Sequence, residues 1–426
     1  MIIRFFQGES PAVVISIPRG EFQVPPEVLF RESPLGSLAS VEERRSNGDP
    51  SEEETPLNIE ATYRLRTTGA QAEEWARAIA IELTVEVPDA LIARYPGMET
   101  DIVARIESLE PEGEDASQLR LSFDPALAEG GLPQWLNLLS GNVSMLPGVE
   151  LISAELPPDL LARFPGPRYG IEGIREQLGV SDRPLVAPAL KPRGAPVADL
   201  AKVAEEFARG GGDVIKDDHN LVDPDFDRFT DRVRQIAAGV ARGREESGKA
   251  CAYHALLTGP LDELERRLEF LEVIGVEGVL ICPSLIGFEA SRWLLRQTDR
   301  AVWTHPSLSG AVAHPAGASL SAAFLHGFVF RLIGADAAVF VNHGGRFPIS
   351  REECLSIAAE CRRPRGDWPT TFPVPAGGMR LERIEEMVGD FGRDTILLVG
   401  GDLLIHPDGV EAGTRQFVER VVSVSA

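Results

Sequence analysis

Gly211-Gly212-Asp213-Val214-Ile215-Lys216-Asp217-Asp218-His219-Asn220 is a short apolar run that breaks off into a cluster of charged and polar side chains. By itself it reads as a buried strand with a functional loop at its end. The same grammar recurs on both sides of it. Apolar runs at 185–190, 213–216, 252–257, 278–282, 301–305, 337–342, 370–375 and 396–400 alternate with amphipathic stretches such as 197–209 and 262–273. Continuous apolar runs separated by helices are the pattern of a parallel sheet covered on both faces. Eight in succession predict an α/β fold with a (β/α)8 TIM barrel, whose chemistry lies at the C-terminal strand ends.

Ahead of the barrel the pattern changes. A strand over 59–65, a helix over 70–81 that delivers Glu82 at its end, strands over 102–109 and 118–123 and a helix over 132–139 predict a smaller α+β, ferredoxin-like domain. The expected division is residues 56–165 for this domain and 166–426 for the barrel. Residues 1–55, rich in Pro, Ser, Glu and Arg with the breaker cluster Ser46-Asn47-Gly48-Asp49-Pro50-Ser51, are expected to be a poorly ordered extension.

Composition narrows the function. Hydrophobic residues at 43% and charged residues at 25% are the balance of a globular protein. A net charge of −23 opposes binding to nucleic acid, which depends on Lys and Arg neutralising phosphates. No stretch of about 18 apolar residues occurs, and Met1-Ile2-Ile3-Arg4 is interrupted too early for a secretion signal. The expectation is a cytoplasmic protein with no membrane partner. Cys251, Cys282, Cys354 and Cys361 show no Cys-x-x-Cys spacing, which predicts reduced thiols and argues against zinc.

Only four of the 42 basic residues are lysine: Lys191, Lys202, Lys216 and Lys249. Lysine offers what arginine cannot, an amine able to lose its proton. Two of the four fall at predicted strand ends, in Lys191-Pro192-Arg193-Gly194 and in Lys216-Asp217-Asp218-His219. Asp218 is a hard oxygen ligand suited to Mg2+. Lys216 becomes an oxygen donor only as a carbamate formed with CO2. Lys191, beside the positive charge of Arg193, is placed to act as a neutral amine that moves a proton. His305 after the fifth run and His343 after the sixth are further catalytic candidates. Arg193 and Arg346 supply positive charge for substrate. Gly377-Gly378 and Gly400-Gly401, after the last two runs, free backbone N–H groups for a phosphate.

These residues resemble the ribulose-bisphosphate carboxylase large-subunit superfamily, and specifically its RuBisCO-like branch. The stretch from Gly211 to Asn220 is similar to the family's metal motif, Lys191-Pro192-Arg193 to its proton-transfer motif, and Phe164-Pro165-Gly166-Pro167-Arg168-Tyr169-Gly170-Ile171 to the segment leading into the barrel. The resemblance implies Mg2+ held by a carbamylated Lys216 with Asp218 and His219. It also implies that Asn142, in Gly141-Asn142-Val143, and Glu82 reach the metal site of a partner subunit, so that the active unit is a homodimer or larger.

Three departures bear on the reaction. His219 stands where the family has a metal-ligand glutamate. Asn342-His343-Gly344-Gly345-Arg346-Phe347 replaces the loop that carries a lysine over CO2, and Pro375-Ala376 replaces a serine before the glycine pair. The resemblance therefore points away from CO2 fixation. It points to decarboxylation of a small phosphorylated 3-oxo sugar acid, such as 3-oxo-isoapionate 4-phosphate, through an enediolate. The alternative is an enolase or isomerase of a ketose phosphate, as in methionine salvage, in which a base lysine is expected in place of Asn142. A non-catalytic sugar-phosphate binder is the third reading. Retention of Lys191 and Lys216 speaks against it, because a binder could use arginine.

Overall fold

The computed structural model describes residues 57–314 and 318–425. The expected N-terminal extension lies outside the described residues. Four strands open the fold: β1 (Ile59–Leu65), β2 (Arg105–Glu112), β3 (Ala116–Phe123) and β4 (Val149–Glu155). In β1 every second residue is buried, so Ile59, Ala61, Tyr63 and Leu65 face one core while the residues between them lie at the surface. Antiparallel pairing joins β1 to β3 and to β4, with β2 on the edge beyond β3. The helix Gly69–Glu82 buries Ala72, Ala76 and Ile79, a spacing of one apolar face.

Five parallel strands follow: β5 (Leu185–Leu190), β6 (Val214–Asp217), β7 (Ala252–Leu256), β8 (Gly278–Ile281) and β9 (Ala301–Thr304). A short excursion, β10 (Ala313–His314) and β11 (Ala318–Leu320), leaves the barrel, and β11 pairs in parallel with β4. The first sheet thereby becomes six-stranded, in the order β10-β11-β4-β1-β3-β2. The chain returns with β12 (Ala337–Val341), β13 (Phe372–Ala376) and β14 (Ile396–Val399). β14 pairs with β5, and β9 pairs with β12 to close the eight-stranded barrel.

Period two along the strands sorts their side chains into two cores. Leu185, Ala187, Val214, Leu280, Trp303, Val339, Val374 and Leu398 pack with one another in the interior. Val186, Ile215, Val279, Val302, Ala338 and Leu397 pack outward on the helices. Trp303 is fully buried, and truncation to Ala at such a position costs about 3–5 kcal/mol. His254 belongs to this interior, edge-on to Trp303 at 5.0 Å, where burial pushes its pKa down to about 3 and keeps it neutral. The same alternation that turns Val214 inward turns Lys216 inward and Asp217 out. The two neighbouring residues therefore enter different environments.

Candidate active site

The outward-facing Asp217 anchors the end of β6. It is fully buried and accepts hydrogen bonds from the Tyr253 hydroxyl at 3.0 Å and the Leu256 N–H at 2.8 Å, and it pairs with the Arg232 guanidinium. Arg232 in turn holds Asp223 at 2.9 Å, which ties down the loop that follows. The strand end is thus fixed from behind, which sets the direction of the residues on either side of Asp217.

Lys216 is 1% exposed and its Nζ donates to the Asp217 carbonyl at 2.9 Å. Burial lowers its pKa to about 8, with the nearby Lys191 charge acting in the same direction against the pull of Asp218. Asp218 Oδ2 lies 3.1 Å from Lys191 Nζ, and Oδ1 accepts the Asn220 N–H at 3.0 Å. Burial tends to raise this carboxyl, but Lys216, the Asn220 N–H and Lys191 together hold it below the ordinary range. The charged partner of Lys191 in the fold is Asp218, whereas the sequence pointed to Arg193.

His219 stacks on His305 with ring centroids 4.0 Å apart. Its Nε2 lies 3.1 Å from Asn220 Nδ2, while its buried Nδ1, 3.4 Å from Asp218 Oδ1, makes no hydrogen bond. Burial lowers the His219 pKa, and the charges of Lys216, Lys191 and Arg346 act in the same direction. His305 Nδ1 accepts the Ser307 N–H at 3.2 Å and lies 2.9 Å from the Ser307 hydroxyl. With Nδ1 accepting, the ring proton sits on Nε2. Burial, reinforced by Lys216 and His219, pushes the His305 pKa far below its usual value, so the ring is a neutral donor. Cys282, at the end of β8, bonds to Ser307, and burial raises its pKa to about 11, leaving a neutral thiol beside Lys216.

Lys191, Lys216, Asp218, His219 and His305 therefore converge on one mouth of the barrel. His343 does not join them. Its Nε2 is 2.9 Å from Asp390 Oδ2 and its Nδ1 is 3.9 Å from Glu386, both on the helix Ile384–Phe391. Asn142 and Glu82 stand on the other sheet's side of the molecule. Asn142 Nδ2 donates to Glu82 at 3.1 Å and to Glu86 at 2.5 Å, and Asn142 and Glu86 are exposed. Gly377 and Gly378 follow β13 with φ of +105° and +65°, and Gly401 opens a short helix after β14.

Among the described residues, two groups of side chains bear on metal binding. His343, Glu386 and Asp390 place their ligating atoms within 4.8 Å of one another. Their carboxylates are already engaged, Asp390 by Arg351 and Glu386 by Arg383. Asp218 and the unbonded His219 Nδ1, with Lys216 were its amine carbamylated, would suit a cation better, because these atoms are not matched by arginine. Imidazole is a poorer Mg2+ ligand than the carboxylate it replaces. Sequence reading missed Cys282, Ser307, Asn220 and Glu86. Cys282 was within reach of the strand-end rule, since it closes the fourth run.

Known proteins resemble this chain over most of its length. The model of the ribulose bisphosphate carboxylase large chain, catalytic domain, matches residues 170–345. The chain is 38% identical over 372 residues to the 5-methylthioribulose-1-phosphate isomerase of Rhodospirillum rubrum, covering 86% of this chain and 97% of that one. It is 30% identical to the 2,3-diketo-5-methylthiopentyl-1-phosphate enolase of Geobacillus kaustophilus over 72% of this chain and 75% of the other. The crystal structure of a Rubisco-like protein from Rhodopseudomonas palustris superposes with a TM-score of 0.78 at 34% identity, over 87% of this chain and 99% of that one. The decarboxylation expected from the sequence finds no support in these relatives, whereas the enolase or isomerase alternative does. No described helix is long and apolar enough to cross a membrane.

Proposed function

Because this chain belongs to the ribulose bisphosphate carboxylase large-chain family, as a RuBisCO-like protein, we propose that it isomerises a phosphorylated ketose by moving a proton beside the carbonyl, with 5-methylthioribulose 1-phosphate or a close analogue as substrate. The observation that carries this reading is the near full-length relation to an isomerase, in a chain whose Lys191, Asp218 and His305 meet at one barrel mouth.

Asp218, His219 and Lys216 as a carbamate would hold Mg2+, which when bound supplies positive charge beside a developing oxyanion. The chain's own residues do the rest. Lys191, with 38% of its side chain exposed, reaches the substrate and takes a proton from the carbon next to the carbonyl. The His305 Nε2–H donates to the carbonyl oxygen and stabilises the enediolate. Lys191 returns the proton to the former carbonyl carbon, while His305 Nε2 passes its proton to the former carbonyl oxygen and takes up that of the adjacent hydroxyl, which becomes the new carbonyl; this completes the isomerisation without loss of CO2. The N–H groups of Gly377, Gly378, Gly400 and Gly401, with Arg346 and Arg193, bind the phosphate. Asn142 and Glu82 extend from the partner in a homodimer, a role that the exposed position of Asn142 and the half-buried one of Glu82 support.

Turnover of 5-methylthioribulose 1-phosphate in deuterated water, followed by NMR, tests the reading. The expected result is an isomeric sugar phosphate, with solvent deuterium on the carbon that received the proton and no CO2 released. Neither isomer nor exchange would overturn it, and CO2 release from 3-oxo-isoapionate 4-phosphate would restore the decarboxylase.

A further inference from the structure

The two loops expected to meet the phosphate come from different strands, and one side chain outside both joins them. Arg383, at the start of the helix Ile384–Phe391, directs Nη1 to the His343 carbonyl and to the Gly378 carbonyl, each at 3.2 Å. Glu386 holds the other edge of the guanidinium, accepting Nε at 2.8 Å and Nη2 at 2.9 Å. The contact is tight. A Cβ on Gly344 would lie 2.9 Å from the Arg383 nitrogens, and one on Gly378 would lie 3.1 Å from Nη1. Both glycines also have positive φ, at +69° and +65°, where a side chain is strained.

The same helix face grips the loop after β12 twice more. Met387 Sδ accepts Asn342 Nδ2 at 3.0 Å, and Asp390 Oδ2 is 2.9 Å from His343 Nε2, with Arg351 holding its other oxygen. Positions 383, 386, 387 and 390 are one helical face. The gripped loop continues directly into Gly345 and Arg346, and the Arg346 charge reaches His219.

We propose that Arg383 is a positioning residue, which sets the loop after β12 against the glycine pair after β13 so that Arg346 and the Gly377 and Gly378 N–H groups meet a single phosphate. The inference rests on the reading that this glycine pair binds the phosphate. Arginine suits the task because a planar fork reaches two carbonyls and a carboxylate at once, which an ammonium on a flexible stem does not.

Binding of inorganic phosphate to the full chain, measured by calorimetry, tests it with Arg383→Gln and Arg383→Lys. Loss of the bridge should weaken phosphate binding about tenfold in Arg383→Gln and by less in Arg383→Lys, the size expected when hydrogen bonds to a charged group are lost. KM should rise in parallel while kcat stays within about twofold, a split that general loosening would not produce. Millimolar guanidinium should restore phosphate binding to Arg383→Ala. If Arg383→Gln fails to fold, Glu386→Gln, which frees the guanidinium to swing, should show the same direction at about threefold. Unchanged phosphate affinity in whichever variant folds would overturn the proposal. Absence of binding to the unaltered chain, or binding insensitive to Gly377→Ala, would overturn the phosphate reading and the inference with it.

Discussion

The mouths of β6 and β12 carry similar chemistry in opposite states. Each presents a histidine, acidic groups and nearby cations. At β12 the polar groups are matched: His343 by Asp390, Asp390 by Arg351, Glu386 by Arg383. At β6 the matching is displaced by one residue. The arginine pair falls on Asp217, behind the strand, and leaves in front a lysine with lowered pKa, a carboxylate that meets only lysine charge, and an imidazole nitrogen without a bond. A matched cluster is structure, and an unmatched one retains the capacity to bind and to move protons.

The contrast can be broken at several points. Lys191→Met should lower turnover by about a thousandfold with the fold intact by circular dichroism, within the range for loss of a positioned acid–base group; a drop below tenfold would move the chemistry elsewhere. Removing the support behind β6 should act on stability instead. Arg232→Met leaves Asp217 as an uncompensated buried charge and should cost about 3–5 kcal/mol in denaturant unfolding, and a loss under 1 kcal/mol would mean that the pair does not anchor the strand end.

Smaller effects should distinguish the two histidines. His305→Asn should reduce turnover about a hundredfold, whereas His343→Asn, whose ring is held by Asp390, should change it by no more than about threefold. Equal losses would erase the distinction between the mouths. The pH dependence of CO2 uptake by Lys216 follows from its pKa of about 8. The ammonium cannot attack CO2 and the neutral amine can, so the carbamate signal in 13C NMR should grow as pH rises, by roughly tenfold in amine fraction between pH 7 and pH 9. A flat profile over that interval would show that Lys216 is not the titrating group. Folding shows the same sign. The unfolded chain holds the Lys216 proton up to about 10.5 and the folded one only to about 8, so this residue's contribution to stability rises across that window.

Much of this was legible beforehand. The eight apolar runs match the barrel strands to within a residue or two at most ends, because strands buried on both faces leave continuous apolar segments. The excursion through β10 and β11 was not legible: two short strands carry no periodic signal, and their place is set by pairing with β4, far away in sequence. Cys282 sat in view at a strand end, but the sequence says of it only that it is a reduced thiol.

The sequence by itself determined the barrel, its family and the alternation that sends Lys216 inward and Asp217 out, because these follow from local period and residue type. Tertiary structure alone decided which polar residues at the mouths remain unmatched. His305 directly follows β9, and Ser307, two residues on, fixes it in the site; His343 is the second residue after β12, and Asp390, 47 residues on, holds its ring. The first contact is local, whereas the second is chosen by packing across the fold, and no local pattern encodes it.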